Sequence, residues 1–122
     1  MPHIVIEYAA TLEGRIDIEA LIGASLDAAT DSGVMKREDI KLRALAYRHF
    51  LLADGGADFV HTTVHLLEGR SVEAKAKLAE LLRERQTAQL SAVHSVSIDI
   101  VDMNAGAYRK RLLDGSQQWG SW

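Results

Sequence analysis

The only proline of this 122-residue chain is its second residue, Pro2. A small second residue normally permits removal of the initiator methionine, which would leave Pro2 at the N-terminus with a secondary amine. α-Amino groups titrate at about 7.7–8.0, and a nearby cation or burial lowers that pKa further. Such a nitrogen can take up and return a proton, as general acid–base catalysis requires. The alternative is a processing signal without a chemical role, and a retained Met1 would make the Pro2 nitrogen an amide.

Three basic residues are candidates for binding an anion. Arg70 follows Gly69 at a predicted strand-to-helix junction, where its planar guanidinium can pair with a carboxylate beside the N–H groups of a helix N-terminus. Lys41 and Arg43 are two residues apart in a predicted strand, so both point to the same face of the sheet. The alternatives are that Arg70 is a surface arginine and that Lys41 and Arg43 lie on a solvated face.

Several other kinds of chemistry lack the residues that they need. Cysteine is absent, which excludes disulfides, thiolate chemistry and cysteine-based metal sites. His61 and His65 share a face of a predicted strand, but no carboxylate lies between them and no histidine pair has the H-E-x-x-H spacing, so no metal site is expected. The sequence also lacks the G-x-S-x-G, P-loop and G-x-G-x-x-G motifs of hydrolases, NTPases and dinucleotide-binding proteins.

The composition predicts an ordered protein of one domain. Hydrophobic residues make up 48% and charged residues 25% of the chain, which is typical of a globular domain. The formal net charge of −3 argues against a general nucleic-acid-binding protein, which needs a strongly basic surface. No apolar stretch approaches the roughly 18 residues of a membrane helix. Glu7 interrupts the apolar start and no basic region precedes it, so we expect no signal peptide and a cytoplasmic location.

Hydrophobic periodicity predicts the elements that must position these residues. Short β-branched or alternating segments indicate four strands, at 4–8, 40–47, 59–67 and around Val96, Ile98 and Ile100. Helical spacing of apolar residues begins after Asp17, with Gly33 just past the end, and again after Ser71, reaching about Leu90. Asp17 and Ser71 are of the types preferred at helix N-caps.

The order of these elements is β-α-β followed by β-α-β, and the two halves resemble each other. The halves span about 2–50 and 57–103, and a Gly-Arg pair stands before each helix, at Gly14 and Gly69. We interpret this as an internal repeat of about 55 residues, the alternative being chance similarity. Right-handed crossovers place both helices on one face of a four-stranded sheet, in a two-layer α+β fold. The other face is expected to carry much apolar surface and to mediate association, and the tail 104–122 has no assignable element.

Taken together, these residues resemble a known family. The opening PHIVIE at 2–7 is similar to the start of the 5-carboxymethyl-2-hydroxymuconate isomerases of the tautomerase superfamily, and further matches follow in order: ADG at 53–55, FVH at 59–61 and GRS at 69–71. The resemblance covers residues 2 to about 102. The combination of an N-terminal proline, the chain length, the repeat and Gly-Arg-Ser is more specific than any single motif. It implies a tautomerase-like domain over 1–122.

The resemblance implies a pseudo-duplicated subunit that assembles as a homotrimer, with active sites between subunits. It also implies that Pro2 is the proton shuttle and that Arg70 binds a substrate carboxylate. A second active-site arginine of the family falls where this chain has Lys41, and Arg43 matches a neighbouring arginine. Because lysine keeps the charge but lacks the bidentate fork of arginine, the departure at Lys41 allows a natural substrate that differs from the family's.

The implied activity is a cofactor-independent isomerisation of an unsaturated 2-hydroxymuconate-type dicarboxylate to its 2-oxo isomer, in aromatic-acid degradation. No metal or organic cofactor is expected, because the conjugated substrate itself delocalises the charge. One alternative is another activity of the superfamily, such as a phenylpyruvate-like tautomerase, a dehalogenase or a hydratase. A second alternative is a non-catalytic trimeric binding protein, which the lysine at position 41 and a retained Met1 would favour.

Overall fold

Over the residues that the structure describes, the chain forms two α-helices, a four-stranded sheet and a short two-stranded ribbon. The computed structural model describes residues 2–115 and the backbone of Gln117–Gln118; Met1, Trp119 and Trp122 lie outside the described residues. The elements are β1 (His3–Ala9), α1 (Ile18–Asp31), β2 (Lys41–Tyr47), β3 (Phe59–Leu67), α2 (Val72–Thr87), β4 (Ser95–Met103), β5 (Lys110–Arg111) and β6 (Gln117–Gln118). Within this part of the chain, no helix is both long and apolar enough to cross a membrane.

The four long strands form one sheet in the order β2-β1-β3-β4. β1 pairs in parallel with β2, β3 pairs in parallel with β4, and the antiparallel pairing of β1 with β3 joins the two halves. Because parallel neighbours need a crossover connection, α1 joins β1 to β2 and α2 joins β3 to β4. The predicted fold of duplicated β-α-β units is therefore confirmed.

Both helices pack on the same face of the sheet, as predicted. The shared core is lined by aliphatic side chains of the two central strands and both helices: Ile4, Ile6, Val60, Val64, Leu21, Ala28, Ala29, Leu78 and Leu82. A buried polar contact adds to it, because the side-chain N–H groups of Gln86 in α2 donate to Ser25 Oγ of α1 at 3.0 Å and to Thr62 Oγ1 of β3 at 2.9 Å. Gln86 therefore ties α2 to both α1 and the sheet.

The helices begin at the predicted N-caps. Asp17 and Ser71 each accept a hydrogen bond from the main-chain N–H three residues further on, both at 3.1 Å. The predicted end of the second helix, at about Leu90, is wrong by three residues, since α2 ends at Thr87. The Leu90 N–H instead donates to the Thr87 carbonyl at 3.1 Å in a tighter turn. Leu90 is still buried, which explains why it continues the apolar pattern of the helix.

The face of the sheet away from the helices is more polar than the sequence predicted. Tyr47 donates its hydroxyl hydrogen to Glu7 on the neighbouring strand, and His61 Nδ1 lies 2.7 Å from Ser97 Oγ. Apolar side chains such as Leu45, which is 53% exposed, lie among these polar pairs. Side chains alternate between the two faces of each strand. The aliphatic residues face the helices, so the more polar residues that alternate with them lie on the open face. Association through this face remains a prediction.

In the loop between β2 and β3, the imidazole ring of His94 leaves no room for a side chain at Gly56. A Cβ on Gly56 would lie 2.0 Å from Cδ2 of His94, whose Nε2 is 2.8 Å from Asp54 Oδ2. Gly56→Ala must therefore displace the imidazole and break its contact with Asp54. We expect the free energy of unfolding to fall by about 1–3 kcal/mol, the usual cost of overpacking, as measured by urea denaturation.

The control is the same substitution in a His94→Ala background, where no ring stands in the way. There Gly56→Ala should cost clearly less than in the wild type, because the two residues are in contact and their effects are not additive. An equal cost in both backgrounds would show that the steric contact is not the cause.

Candidate active site

The four residues predicted to act chemically lie at one edge of the sheet, where β1 and β2 begin and β3 ends. Pro2 is buried immediately before β1, and its carbonyl accepts a hydrogen bond from the Lys41 N–H at 3.0 Å. Lys41 is the first residue of β2 and pairs with His3. Arg70 follows the end of β3, which runs antiparallel to β1 and so ends at this edge. The parallel pairing of β1 with β2 therefore positions Pro2 beside Lys41.

Arg43 takes part in a network of side chains centred on His3. Arg43 Nη1 lies 3.2 Å from His3 Nδ1, and His3 Nε2 lies 3.2 Å from the Tyr108 hydroxyl. Because a guanidinium only donates hydrogen bonds, Nδ1 must be the acceptor, and the ring proton of neutral His3 is on Nε2, which donates to Tyr108. The rings of His3 and Tyr108 meet edge to face, with centroids 6.2 Å apart. We call these three residues the Arg43–His3–Tyr108 network.

The surroundings of this network favour its neutral form. Burial lowers the pKa of His3 below its ordinary value, and the positive charges of Arg43 and Lys41 lower it further. Burial also raises the pKa of the Tyr108 hydroxyl. At neutral pH His3 is therefore an uncharged imidazole and Tyr108 is an uncharged phenol, so the charge of the network resides on Arg43.

Arg70 is held by the main chain on both sides of its loop. Gly69 adopts a φ of +118°, which favours glycine, and the turn directs Arg70 toward the loop between α1 and β2. Its Nη1 donates to the Leu67 carbonyl at 3.2 Å, and its Nη2 donates to the Val34 carbonyl at 3.3 Å. Burial lowers the pKa of the guanidinium, but arginine keeps its charge in proteins. The contacts fix the plane of a cation just before the N-cap of α2.

Charge at this edge is suited to an anionic ligand. Within residues 2–115, neither Lys41 nor Arg43 forms an ion pair with a carboxylate. A bound anion could pair with these two basic side chains through charge-assisted hydrogen bonds. In the same part of the chain, no three His, Asp or Glu side chains converge as metal ligands would.

Sequence reasoning found the cations but missed His3 and Tyr108. His3 adjoins Pro2 in the sequence, so its place beside the site could have been inferred once β1 was assigned. Tyr108 had no such signal, because it lies in the unassigned tail. It reaches the site because β4 is parallel to β3 and ends at the same edge, where the Asn104 carbonyl accepts from the Tyr108 N–H at 3.1 Å and turns the chain back.

The second half of the chain places different residues at the equivalent position. The register pairs His3 with Lys41 in the first half and Phe59 with Ser95 in the second, so Asp58 corresponds to Pro2. The buried Asp58 carboxylate accepts from Arg15 Nη1 at 3.2 Å and from the His94 N–H at 2.8 Å. The arginine before α1 is therefore neutralised within the chain, and the two halves are not chemically equivalent.

The duplicated β-α-β sheet with two helices on one face is the tautomerase fold. Residues 2–106 match the 5-carboxymethyl-2-hydroxymuconate isomerase family, and the chain belongs to that family. It is therefore an isomerase of the tautomerase superfamily, which confirms the family and the enzyme class predicted from the sequence. No curated relative matches the sequence.

Solved structures share the fold at low sequence identity. A crystal structure of 5-carboxymethyl-2-hydroxymuconate delta-isomerase has a TM-score of 0.76 and 23% identity, over 92% of this chain and 88% of that chain. A 5-carboxymethyl-2-hydroxymuconate isomerase from Deinococcus radiodurans R1 has a TM-score of 0.76 and 24% identity, over 89% of this chain and 88% of that one. A symmetric trimer of wild-type fused 4-OT has a TM-score of 0.72 and 20% identity, over 93% and 94%.

Because Asp58 has a structural contact where the first half has Pro2, we expect substitutions of Asp58 to lower stability without changing activity. Asp58→Ala leaves the His94 N–H without its acceptor, so the free energy of unfolding should fall by about 1–3 kcal/mol, measured by urea denaturation. Asp58→Asn keeps an acceptor oxygen and should cost less. Isomerase kcat/KM should be unchanged in both variants; a parallel loss of activity would contradict a purely structural role for Asp58.

Proposed function

We propose that this enzyme converts an unsaturated 2-hydroxymuconate-type dicarboxylate to its 2-oxo isomer, without a cofactor, with Pro2 as the general acid–base, in aromatic-acid degradation. The observation that supports this most is the placement of Pro2, which is buried at the start of β1 and bonded through its carbonyl to Lys41. After removal of Met1, its secondary amine lies at an edge that also carries Arg43 and Arg70. Burial and neighbouring cations both favour the uncharged amine, which can act as a base.

The reaction moves one proton and shifts the double bonds, with no net oxidation. The Pro2 nitrogen takes the proton from the 2-hydroxyl group of the dienol, and the electrons move through the conjugated chain as the 2-oxo group forms. The protonated Pro2 then delivers its proton to carbon. The negative charge of the intermediate dienolate is stabilised by the fixed cations, which act without reorganisation at the moment of reaction.

The basic residues bind different ends of the substrate. Arg70, with its plane fixed by two carbonyls, binds one carboxylate, while Lys41 and Arg43 bind the other end and stabilise the developing charge. Lys41 supplies a point charge rather than a bidentate fork. The carboxylate bound there is consequently held less rigidly than by an arginine, which supports a natural substrate different from the family's 5-carboxymethyl compound.

We further propose that the enzyme is a homotrimer with active sites between subunits. The fused 4-OT structure is a symmetric trimer. Among the described residues, the edge strands β2 and β4 of the four-stranded sheet each pair with one strand, and Leu51 and Leu113 are 91% and 94% exposed. Open strand edges and exposed leucines are both suited to contacts with further copies of the chain.

Pro2→Ala tests the proton transfer. The substitution leaves a primary α-amine in a less confined position, so kcat should fall by about 10²–10⁴-fold, the usual contribution of a positioned acid–base. Ketonisation of 2-hydroxymuconate and of its 5-carboxymethyl relative is followed by ultraviolet absorbance. Intact mass must first show that Met1 is absent from both proteins. A retained Met1 in the active enzyme, or equal rates for both proteins, would end the proline mechanism.

Arg70→Ala tests the carboxylate contact. Losing a charge-assisted bidentate pair should lower kcat/KM by about 10- to 100-fold, mainly through KM, and Arg70→Lys should recover part of the loss. Since Arg70 also bonds to the carbonyls of Leu67 and Val34, the urea midpoint of each variant is the control for misfolding. An unchanged kcat/KM in Arg70→Ala would show that Arg70 does not bind the substrate. Separately, if the wild-type protein accelerates neither substrate, the non-catalytic binding protein becomes the favoured alternative.

A further inference from the structure

Arg43 differs from other arginines of the chain in the kind of group that holds it. Arg15, Arg37, Arg83 and Arg85 each bond to a carboxylate. Arg43 is exposed on the edge strand β2 and bonds to the imidazole of His3 instead. A carboxylate would orient the guanidinium and also neutralise it. A neutral ring nitrogen orients the guanidinium and leaves its full charge for another partner.

The contact with His3 is important for ligand binding because an unrestrained Arg43 side chain would lose conformational entropy on binding. An exposed arginine loses rotamer freedom when a ligand fixes it, and this loss of entropy weakens binding. The 3.2 Å contact with His3 Nδ1 uses one N–H of Nη1. The guanidinium can therefore be oriented before a carboxylate arrives, while its other N–H groups still offer a fork.

Tyr108 stabilises the tautomer of His3 that accepts a hydrogen bond from Arg43. Nδ1 accepts from Arg43 only while the ring proton is on Nε2, and the Tyr108 hydroxyl, 3.2 Å from Nε2, provides the acceptor for that proton. Tyr108 comes from the segment after β4, so the C-terminal part of the chain takes part in orienting a cation on β2.

We propose that the Arg43–His3–Tyr108 network preorganises Arg43 for a substrate carboxylate, with His3 and Tyr108 as positioning residues that act through Arg43. This rests on the proposed function in one respect, that the ligand is a dicarboxylate. It assigns the network to substrate affinity and leaves proton transfer to Pro2.

Two substitutions separate the two hydrogen bonds of His3. The Asn side-chain oxygen replaces Nδ1 as the acceptor for Arg43, whereas the Gln side-chain nitrogen replaces Nε2 as the donor to Tyr108. With 2-hydroxymuconate, His3→Gln should raise KM about 10-fold with little change in kcat, and His3→Asn should raise it by less than about 3-fold. The order of KM values is the readout, and equal increases for the two variants would overturn the proposal.

A double-mutant cycle tests whether His3 acts through Arg43. In an Arg43→Ala background, His3→Gln should no longer raise KM, because the side chain that it positions is gone. Additive effects of the two substitutions would overturn the proposal. Tyr108→Phe keeps the ring contact and removes the hydroxyl, so it should raise KM about 3-fold; an unchanged KM would remove Tyr108 from the network.

Binding of adipate, a saturated six-carbon dicarboxylate, separates failure of this inference from failure of the proposed function. Its Kd, measured by calorimetry, should rise in the same order as KM across the His3 variants. The matched control is His61→Gln and His61→Asn, on the same face of the sheet, which should leave adipate binding unchanged. If Pro2→Ala has no effect on kcat, the proposed mechanism fails; if His3→Gln leaves the adipate Kd unchanged, only the role of His3 fails.

Discussion

The parallel pairing of β1 with β2 is the constraint on which the site depends. Its register sets His3 opposite Lys41, so that the Pro2 carbonyl receives the Lys41 N–H and Arg43 reaches the His3 ring. A slip of one residue would turn Lys41 and Arg43 toward the helices. The aliphatic residues between them would then face outward. Burial of Leu42 and Ala44 against the core therefore also determines where the two cations lie.

The two halves show how one architecture carries two different electrostatic arrangements. In each half an arginine stands before the helix, and one residue directly precedes the opening strand. In the second half that position is Asp58, which neutralises Arg15. In the first half it is Pro2, whose side chain brings no charge. Lys41 and Arg43, which form no ion pair with a carboxylate within residues 2–115, therefore keep their positive charge at the Pro2 edge, although the chain as a whole is acidic.

Neutral hydrogen-bonding partners orient the cations at that edge. Carbonyls of Leu67 and Val34 accept from Arg70, and the His3 ring accepts from Arg43. The neutral imidazole of His3 directs the guanidinium of Arg43 without cancelling its charge. This differs from the surface ion pairs elsewhere in the chain, such as Arg37 with Asp27, which screen each other and contribute little to stability.

Periodicity and capping are local properties of the chain, so they were sufficient to predict the element order and the N-caps at Asp17 and Ser71. Residue type and spacing likewise marked Pro2, Lys41, Arg43 and Arg70 as candidates. It overextended α2, since Leu90 is buried outside the helix, and it overestimated the apolar character of the open face. The contact of Tyr108 with His3, 105 residues away, and that of Asp58 with Arg15 could be found from the folded structure but not from the sequence. Those contacts depend on strand register and on the direction in which β3 and β4 end, and pairings between distant segments leave no periodic signal in either segment alone.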